Sequence, residues 1–350
     1  TKSPRGCQVF PEYSFEWLES EFDTVEHRSA DPFYISEETK AALHEAYKYW
    51  KGKTNFDLAS SYMSKEAHTA IEHNMFTPGN YFYNGIGHVT VHYDWILESG
   101  LDGIIEKAKK AKEALSFEMP DYIKRTQFLD AVIESCEAAE LYAARYASLA
   151  LSLAEKEPDR KRRDELLVIA ANCARVPKSG ARNFYEACQS FWFIQMLLQV
   201  ESSGHSISPG RFDQYMYPYF KKDLDAGKIT YAAAQELMDC IWVKLNDLNK
   251  VRDAASAEGF AGYSLFQNLI AAHILGQLFV GINFGAETDL FAVLVERRQV
   301  TVGGSVLNCH NHARVLARSQ VVQEGANQIA HHGVELGGDV TGVLHILCHL

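Results

Sequence analysis

A strongly apolar segment near the middle of this 350-residue chain constrains the fold more than any other feature. Over residues 183–200 apolar side chains occupy every face of a helix, and such a helix is stable only when other elements cover it on all sides. We therefore predict a central core helix. It is no membrane span, because its stretch 191–200 is too short and contains Gln195 and Gln199. Its apolar residues are Phe184, Tyr185, Ala187, Cys188, Phe191, Trp192, Phe193, Ile194, Met196, Leu197 and Leu198.

Helix signals recur on both sides of this segment. Ser36, Ser64 and Thr230 each precede a helical stretch, and Ser and Thr are residues that cap helix N-termini. Elsewhere apolar residues recur at three- and four-residue spacing, with charges on the opposite face. The predicted helices are 37–50, 65–74, 101–116, 121–156, 164–175, 183–200 and 231–248.

Short stretches rich in aromatic and β-branched residues lie between these helices. They predict strands at 81–83, 88–93 and 264–270. Long helices that alternate with short buried strands are typical of α/β proteins. We therefore predict an α/β architecture, a barrel whose strands are separated by helical segments.

Residue usage changes abruptly near position 270. Every Trp, Tyr, Pro, Met and Lys lies before residue 271, whereas half of the fourteen His lie after it. The change divides the chain into residues 1–270 and a divergent tail, 271–350. It favours a tail that is foreign, rearranged or frame-shifted, and a divergent but genuine domain is the alternative.

A Cys/His metal module is a third interpretation of this tail. The spacings match no zinc pattern, and no Cys-x-x-Cys pair occurs, so the sequence gives it little support. Its members would be Cys309, His310, His312, His331, His332, His345, Cys348 and His349.

Charge and cysteine usage exclude several classes of protein. The net charge is −11, with 45 acidic residues against 34 Lys and Arg, which argues against nucleic-acid binding. Seven Cys spread along the chain form no disulfide framework, and reduced thiols fit a reducing compartment. No apolar segment follows the first residues, so no signal peptide is expected. The sequence therefore fits a cytoplasmic protein, and the missing initial Met suggests a start inside a longer chain.

One segment that interrupts the helical pattern, residues 79–91, combines Gly, Asn, Tyr and His. Gly85 and Gly87 permit close backbone approach just before a predicted strand, an arrangement that would push His88 into a cavity. The segment lacks the glycine spacing of a phosphate-binding loop. Taken alone, His88 fits a hydrogen-bonded structural histidine better than a substrate ligand.

A second polar segment, residues 201–215, directly follows the predicted core helix. Polar groups flanked by core need partners, which a bound polyol or neighbouring backbone could supply. No Gly-x-Ser-x-Gly elbow occurs in the chain, and no Cys carries a local signature of a nucleophile.

Four stretches are specific when taken together, namely 74–89, 184–192, 202–215 and 253–269. They resemble the glycyl radical enzyme superfamily in its pyruvate formate-lyase domain. The resemblance covers about residues 1–270 and stops where residue usage changes. It implies a ten-stranded α/β barrel with outer helices, of which this chain holds an incomplete, helix-rich part.

The resemblance implies a radical lyase of anaerobic metabolism. In this family a C-terminal glycine stores the radical, and a barrel cysteine followed by Val-Glu takes it up. A separate S-adenosylmethionine and iron–sulfur activase installs the radical, and the intact parent is expected to be a homodimer. Neither Cys-Val-Glu nor Arg-Val-x-Gly-Tyr occurs here. We therefore expect no catalytic residue, no bound cofactor or metal, and no activity from this chain alone.

Within the superfamily, the sequence most resembles the B12-independent glycerol and 1,2-propanediol dehydratase branch. The resemblance implies that His88, His205 and Ser206 hold substrate hydroxyls and that Tyr263 lies near the same pocket. A neutral imidazole can either donate or accept a proton at a hydroxyl.

Other functions stay open from the sequence. A lyase of another branch that cleaves C–C, C–N or C–S bonds is one of them. Formate acetyltransferase-like members carry an Arg near the position of His88, and choline trimethylamine-lyase-like members carry a carboxylate in this region. A non-catalytic helical scaffold or remnant is the other alternative.

Overall fold

A computed structural model gives the fold of the part of the chain that it describes, residues 17–30, 32–76, 78, 88–202, 206–248, 251–260, 269–272 and 292–295. Helices dominate this part. They are α1 (Glu37–Trp50), α2 (Asn55–Ser61), α3 (Lys65–Glu72), α4 (Tyr93–Glu113), α5 (Tyr122–Lys156), α6 (Arg160–Arg175), α7 (Phe184–Glu201), α8 (Phe212–Asp225), α9 (Tyr231–Asp247) and α10 (Ala254–Phe260). The strands are β1 (Val89–Thr90), β2 (Ile207–Ser208), β3 (Leu269–Ala272) and β4 (Ala292–Val295).

The predicted caps begin their helices as expected. The side chains of Ser36, Ser64 and Thr230 accept hydrogen bonds from backbone N–H groups in the first turns of α1, α3 and α9. These bonds satisfy donors that the helix itself leaves unpaired. The prediction 37–50 is confirmed, whereas α3 ends at Glu72, two residues before the predicted end.

Helix α4 begins eight residues before its predicted start and contains a break. Within the helix, Gly100 has φ 67° and ψ −175°, a backbone conformation that residues other than glycine rarely adopt. A Cβ at this position would lie 2.3 Å from the carbonyl oxygen of Lys178. The backbone N–H of Leu101 donates instead to Pro177 O at 2.9 Å, so the break docks α4 onto the loop before α7.

The apolar segment forms the core helix that its sequence predicts. Buried residues lie all around α7, and α4, α6, α8, α9 and β2 pack against it. The largest cluster of buried side chains joins α4, α5, α7, β2, α8 and α9 and includes Tyr93, Phe184, Phe191, Phe212 and Phe220. Among the described helices, none combines the length and hydrophobicity that a bilayer crossing requires.

The structure tests the predicted strands only in part. The predicted strand 88–93 is wrong in its second half, because only Val89 and Thr90 form a strand and Tyr93 already begins α4. Of the predicted strand 264–270, residues 269 and 270 belong to β3, Leu269–Ala272, whereas 264–268 and the predicted strand 81–83 lie outside the described residues. Strand β1 pairs in parallel with β2, and β3 pairs in parallel with β4. Each pair joins segments that are far apart in sequence, as parallel pairing requires.

Candidate functional site

Residues 88–91 and 206–215, described parts of the two polar segments singled out in the sequence, meet where β1 and β2 begin. Val89 pairs with Ile207, and Thr90 pairs with Ser208. The backbone N–H of Val89 donates to the carbonyl oxygen of Ser206 at 3.2 Å. This register places the two residues just before the strands, His88 and Ser206, next to each other.

His88 and Ser206 share an unusual backbone conformation. Their φ angles are 60° and 56°, in the left-handed region that non-glycine residues seldom occupy. Such a residue costs about 1–3 kcal/mol and persists only where its surroundings hold it, most often at functional sites. Two neighbouring residues of this kind at paired strand ends therefore mark this place as a candidate site.

A glycine lets the strands approach each other closely. Gly210 has φ 66°, and a Cβ there would lie 2.5 Å from the γ-methyl carbon of Thr90. Any larger residue would push β1 away from the segment that follows β2.

The amide of Gln195 anchors β2 to the core helix. Its Nε2 donates to the carbonyl oxygen of Ile207 at 2.8 Å, and its Oε1 accepts from the Tyr93 hydroxyl. The hydroxyl of Tyr215 donates to Pro209 O at 2.8 Å, two residues further along. The buried Tyr93 and Gln195 and the partly buried Tyr215 thus fix the backbone that carries Ser206.

Aromatic rings form a rigid base beneath these contacts. Tyr93 and Phe191 lie 4.9 Å apart between ring centroids, as do Phe191 and Phe212, and Tyr93 lies 5.3 Å from Tyr215. Burial raises the pKa of Tyr215 well above its usual value, and nearby Tyr93 and Asp213 raise it further. The Tyr215 phenol therefore stays neutral and remains a hydrogen-bond donor.

Two buried polar side chains at this end of α7 have no hydrogen-bond partner among the described residues. They are Ser206, at 2% exposure, through its hydroxyl, and Gln199, at 0%, through both amide atoms. A buried polar group without a partner costs about 1–3 kcal/mol. Such groups have the chemistry to bind a ligand that both donates and accepts hydrogen bonds.

Of the four residues predicted to bind substrate, the structure brings two together. Ser206 is buried, and the side chain of His88 is exposed beside it. His205 and Tyr263 lie outside the described residues. Sequence reasoning missed Tyr93, Gln195 and Gln199. The signal that could have found the glutamines is their spacing of four on one face of an otherwise apolar helix.

Three of the four described cysteines are buried, and the fourth, Cys240, is exposed. Burial raises the pKa of Cys136 and Cys173 to about 11, with Glu140 and Glu137 adding to the shift at Cys136. Burial raises the pKa of Cys188 well above its usual value too. These thiols stay protonated at neutral pH, as expected of core residues. Within the described part of the chain, no three His, Cys, Asp or Glu side chains converge as metal ligands. The proposed metal module of the tail lies outside the described residues.

Known proteins resemble this chain over the same region. The sequence model of the Pyruvate formate lyase-like family matches residues 1–273. The (2S)-3-sulfopropanediol dehydratase of Klebsiella oxytoca is 37% identical over 271 residues, which are 75% of this chain and 33% of that protein.

Two solved structures share the fold at higher sequence identity. One of them concerns 1,2-propanediol dehydration in Roseburia inulinivorans and is 64% identical in sequence, with a TM-score of 0.67. The match covers 77% of this chain and 34% of the Roseburia chain. The other is the glycerol-bound B12-independent glycerol dehydratase of Clostridium butyricum, which is 52% identical in sequence, with a TM-score of 0.65. This match covers 77% of this chain and 34% of the dehydratase.

The matches cover about a third of the length of these relatives. They confirm the predicted fold class, a helix-rich part of an α/β barrel. The family match ends at residue 273, and the division of the chain near 270 stays a prediction. This chain belongs to the pyruvate formate lyase-like family of glycyl radical enzymes.

Proposed function

We propose that this chain forms the substrate-binding part of a glycyl radical dehydratase that eliminates water from a small vicinal diol such as 1,2-propanediol or glycerol. The observation that carries the proposal is the meeting of His88 and Ser206 at the paired starts of β1 and β2. The names of the two solved relatives support the diol as the substrate class.

The chemistry of dehydration matches these side chains. Elimination of water from a vicinal diol requires one hydroxyl to lose a proton while the other leaves with one. The His88 imidazole can hold or move a proton at one diol oxygen, and the Ser206 hydroxyl can donate to or accept from the other. Fixing both oxygens also holds the reacting carbons in one orientation.

The radical would reside on groups that this sequence does not contain. In the family, the radical is stored on the Gly of Arg-Val-x-Gly-Tyr and would be passed to the Cys of Cys-Val-Glu, which abstracts hydrogen from the substrate. Neither motif occurs in this sequence. We therefore propose that the chain alone does not turn over substrate. The intact parent would receive its radical from a separate activase, act as a homodimer and work in the cytoplasm.

A chimaera tests the proposed function. Residues 1–270 are joined to the remaining part of the Roseburia inulinivorans protein, and the chimaera is activated without oxygen by that organism's activase. We expect propionaldehyde from 1,2-propanediol. His88→Ala and Ser206→Ala should lower kcat/KM by about 10²-fold or more, the scale of a lost proton-transfer or orienting group.

Matched variants show whether the loss belongs to the site. His73→Ala and Ser61→Ala change exposed residues of the same types away from the strand starts and should keep full activity. Full activity of the His88 and Ser206 variants would contradict the proposal. So would a correctly folded chimaera that cleaves choline, pyruvate or isethionate and leaves diols untouched.

The division near residue 270 has its own test. The coding DNA across codons 260–360 is read in all frames and into the flanking sequence. A frame that restores Cys-Val-Glu and, later, Arg-Val-x-Gly-Tyr supports a frame-shifted tail on a radical lyase. Support for the present frame with a stop after Leu350 would leave a binding or remnant role for this chain.

A further inference from the structure

The end of α7 carries a buried amide that the proposed function does not use. Gln199 is 0% exposed, and both its Oε1 and its Nε2 lack a hydrogen-bond partner among the described residues. A buried primary amide offers two donor hydrogens and an acceptor oxygen. Native proteins rarely leave such a group without protein or ligand partners.

The topology places Gln199 beside the start of β2. Gln195 and Gln199 are four residues apart, so they lie on one face of α7. Gln195 contacts Ile207 on β2, which shows that this face is turned toward the strand.

The chain direction then sets the order of the contacts. Helix α7 continues beyond Gln195 to Glu201, yet Ile207 on β2 contacts Gln195. By Ile207 the chain has therefore come back alongside an earlier part of the helix, and Ser206 precedes Ile207 on that return. Moving from Gln195 to Gln199 therefore corresponds to moving from Ile207 back to Ser206. This order places Gln199 and Ser206 at the same end of the contact between α7 and β2. Neither side chain has a hydrogen-bond partner among the described residues.

We propose that Gln199 is a further ligand-binding residue, which with Ser206 holds one hydroxyl group of a neutral polyol. The inference rests on the proposed function and adds a residue that determines which hydroxyl compound binds. A hydroxyl group can accept from the amide Nε2 and donate to the amide Oε1 or to Ser206. A carboxylate accepts hydrogen bonds only and would leave Gln199 Oε1 unpaired, so the pair selects a neutral hydroxyl.

Ligand binding by the full 350-residue chain tests this inference. The probe is 1,2-propanediol, followed by saturation-transfer NMR at several concentrations, with 1-propanol as the analogue that lacks the second hydroxyl. We expect Gln199→Leu to weaken binding of the diol about tenfold, a factor equivalent to roughly 1.4 kcal/mol. Because Leu removes an unpaired buried amide, its urea unfolding midpoint should equal or exceed that of the wild type.

Three further variants sharpen the result. Gln127→Leu makes the same change at an exposed position on α5 and should leave binding unchanged. Gln199→Met keeps an unbranched side chain and should weaken binding as Leu does, which covers the case in which Leu disturbs folding. Combining Gln199→Leu with Ser206→Ala should weaken binding by less than the product of the single effects, because both contacts serve one hydroxyl.

The outcomes separate the two proposals. Wild-type binding of the diol that persists unchanged in folded Gln199→Leu and Gln199→Met overturns the role of Gln199 and leaves the proposed function standing. A lower unfolding midpoint with unchanged binding also overturns it, in favour of a purely structural amide. A folded wild-type chain that binds no diol at all removes both this inference and the substrate class on which it rests.

Discussion

The two ends of α7 bury polar side chains in opposite ways. Near its start, Glu186 is 1% exposed, and Arg182 donates from its side chain to both carboxylate oxygens, at 2.5–3.2 Å. Near its end, Gln199 is equally buried but has no partner among the described residues. Burial of a polar group therefore does not reveal its role until its partners are known. A satisfied group holds the fold together, whereas an unsatisfied one is suited to a ligand.

The largest change in unfolding free energy should come from the start of α7, where the buried Glu186 carboxylate has its hydrogen-bond partners. Glu186→Ala removes a carboxylate that accepts from the Arg182 backbone N–H at 2.7 Å and lies 3.4 Å from Arg175 Nε. We expect the free energy of unfolding to fall by about 3 kcal/mol, because charged hydrogen bonds are lost and a cavity remains. Urea unfolding followed by circular dichroism measures the change. Glu165→Ala, at an ion pair whose Glu side chain is 45% exposed, should change it by under about 0.5 kcal/mol. Equal losses in the two variants would contradict this reading of α7.

The same carboxylate predicts a dependence on pH. Burial alone would raise the pKa of Glu186, but hydrogen bonds from Arg182 outweigh it and hold the pKa below the ordinary value of 4.5. The stabilisation is therefore complete above about pH 4.5 and is lost as the pH falls through the folded-state pKa. The difference in unfolding free energy between wild type and Glu186→Gln should stay constant from pH 7 to 5 and narrow below. A difference that widens on acidification would show that Glu186 is not stabilised as a carboxylate.

A somewhat smaller effect should come from the glycine at the strand pair. Gly210→Ala combines a left-handed φ with a contact of 2.5 Å to Thr90, so we expect a loss of about 2 kcal/mol. Gly227→Ala is the matched control, because its φ is 65° and no atom lies within 4 Å of the added Cβ. It should lose only about 1 kcal/mol, the strain without the clash. Equal losses of unfolding free energy in the two variants would mean that β1 moves aside at little cost. The site would then be less rigid than its contacts indicate.

A hydroxyl deletion at the anchor of β2 should cost less again. Tyr93→Phe removes the hydroxyl that donates to the buried Gln195 Oε1, and we expect a loss of about 1 kcal/mol in unfolding free energy. Tyr62→Phe, where the side chain is 79% exposed, should be neutral. If Tyr93→Phe were equally neutral, the anchor of Ser206 would lie elsewhere in the aromatic cluster.

The helical part of the fold was predictable because its signals are local. Ser36, Ser64 and Thr230 act as caps where the sequence suggests, and the apolar pattern of α7 identifies the core. Helix α8 was missed, since Pro218 lies inside it and it begins within the polar segment 201–215. The strands depend on pairing between distant segments, so their limits could not be read from composition alone.

The site was only partly predictable for the same reason. His88 and Ser206 stood out through glycine-rich and hydroxyl-rich sequence and through family resemblance. Their left-handed backbone and the burial of the Gln199 amide without a partner in the described part of the chain are properties of tertiary packing, and no sequence pattern reports them. The four-residue spacing of Gln195 and Gln199 on a mostly apolar helix is a departure from the local pattern that the sequence alone shows. Such departures can mark a functional position before a structure is known.

The smallest predicted effect has the opposite sign and tests the strain at the site itself. Ser206→Gly removes both a left-handed φ of 56° from a non-glycine residue and a buried hydroxyl without a described partner. We expect the chain to gain about 0.5–1 kcal/mol, the net of relieved strain and the entropy that glycine adds to the unfolded state. Ser206→Ala removes the hydroxyl alone, so a larger gain for Gly than for Ala assigns the difference to the backbone. Asn74→Gly, at an exposed φ of 55°, should gain less, because Asn tolerates this region better than Ser. A loss of stability in Ser206→Gly would show that the left-handed conformation carries no strain here, and the backbone argument for a functional site would fall with it.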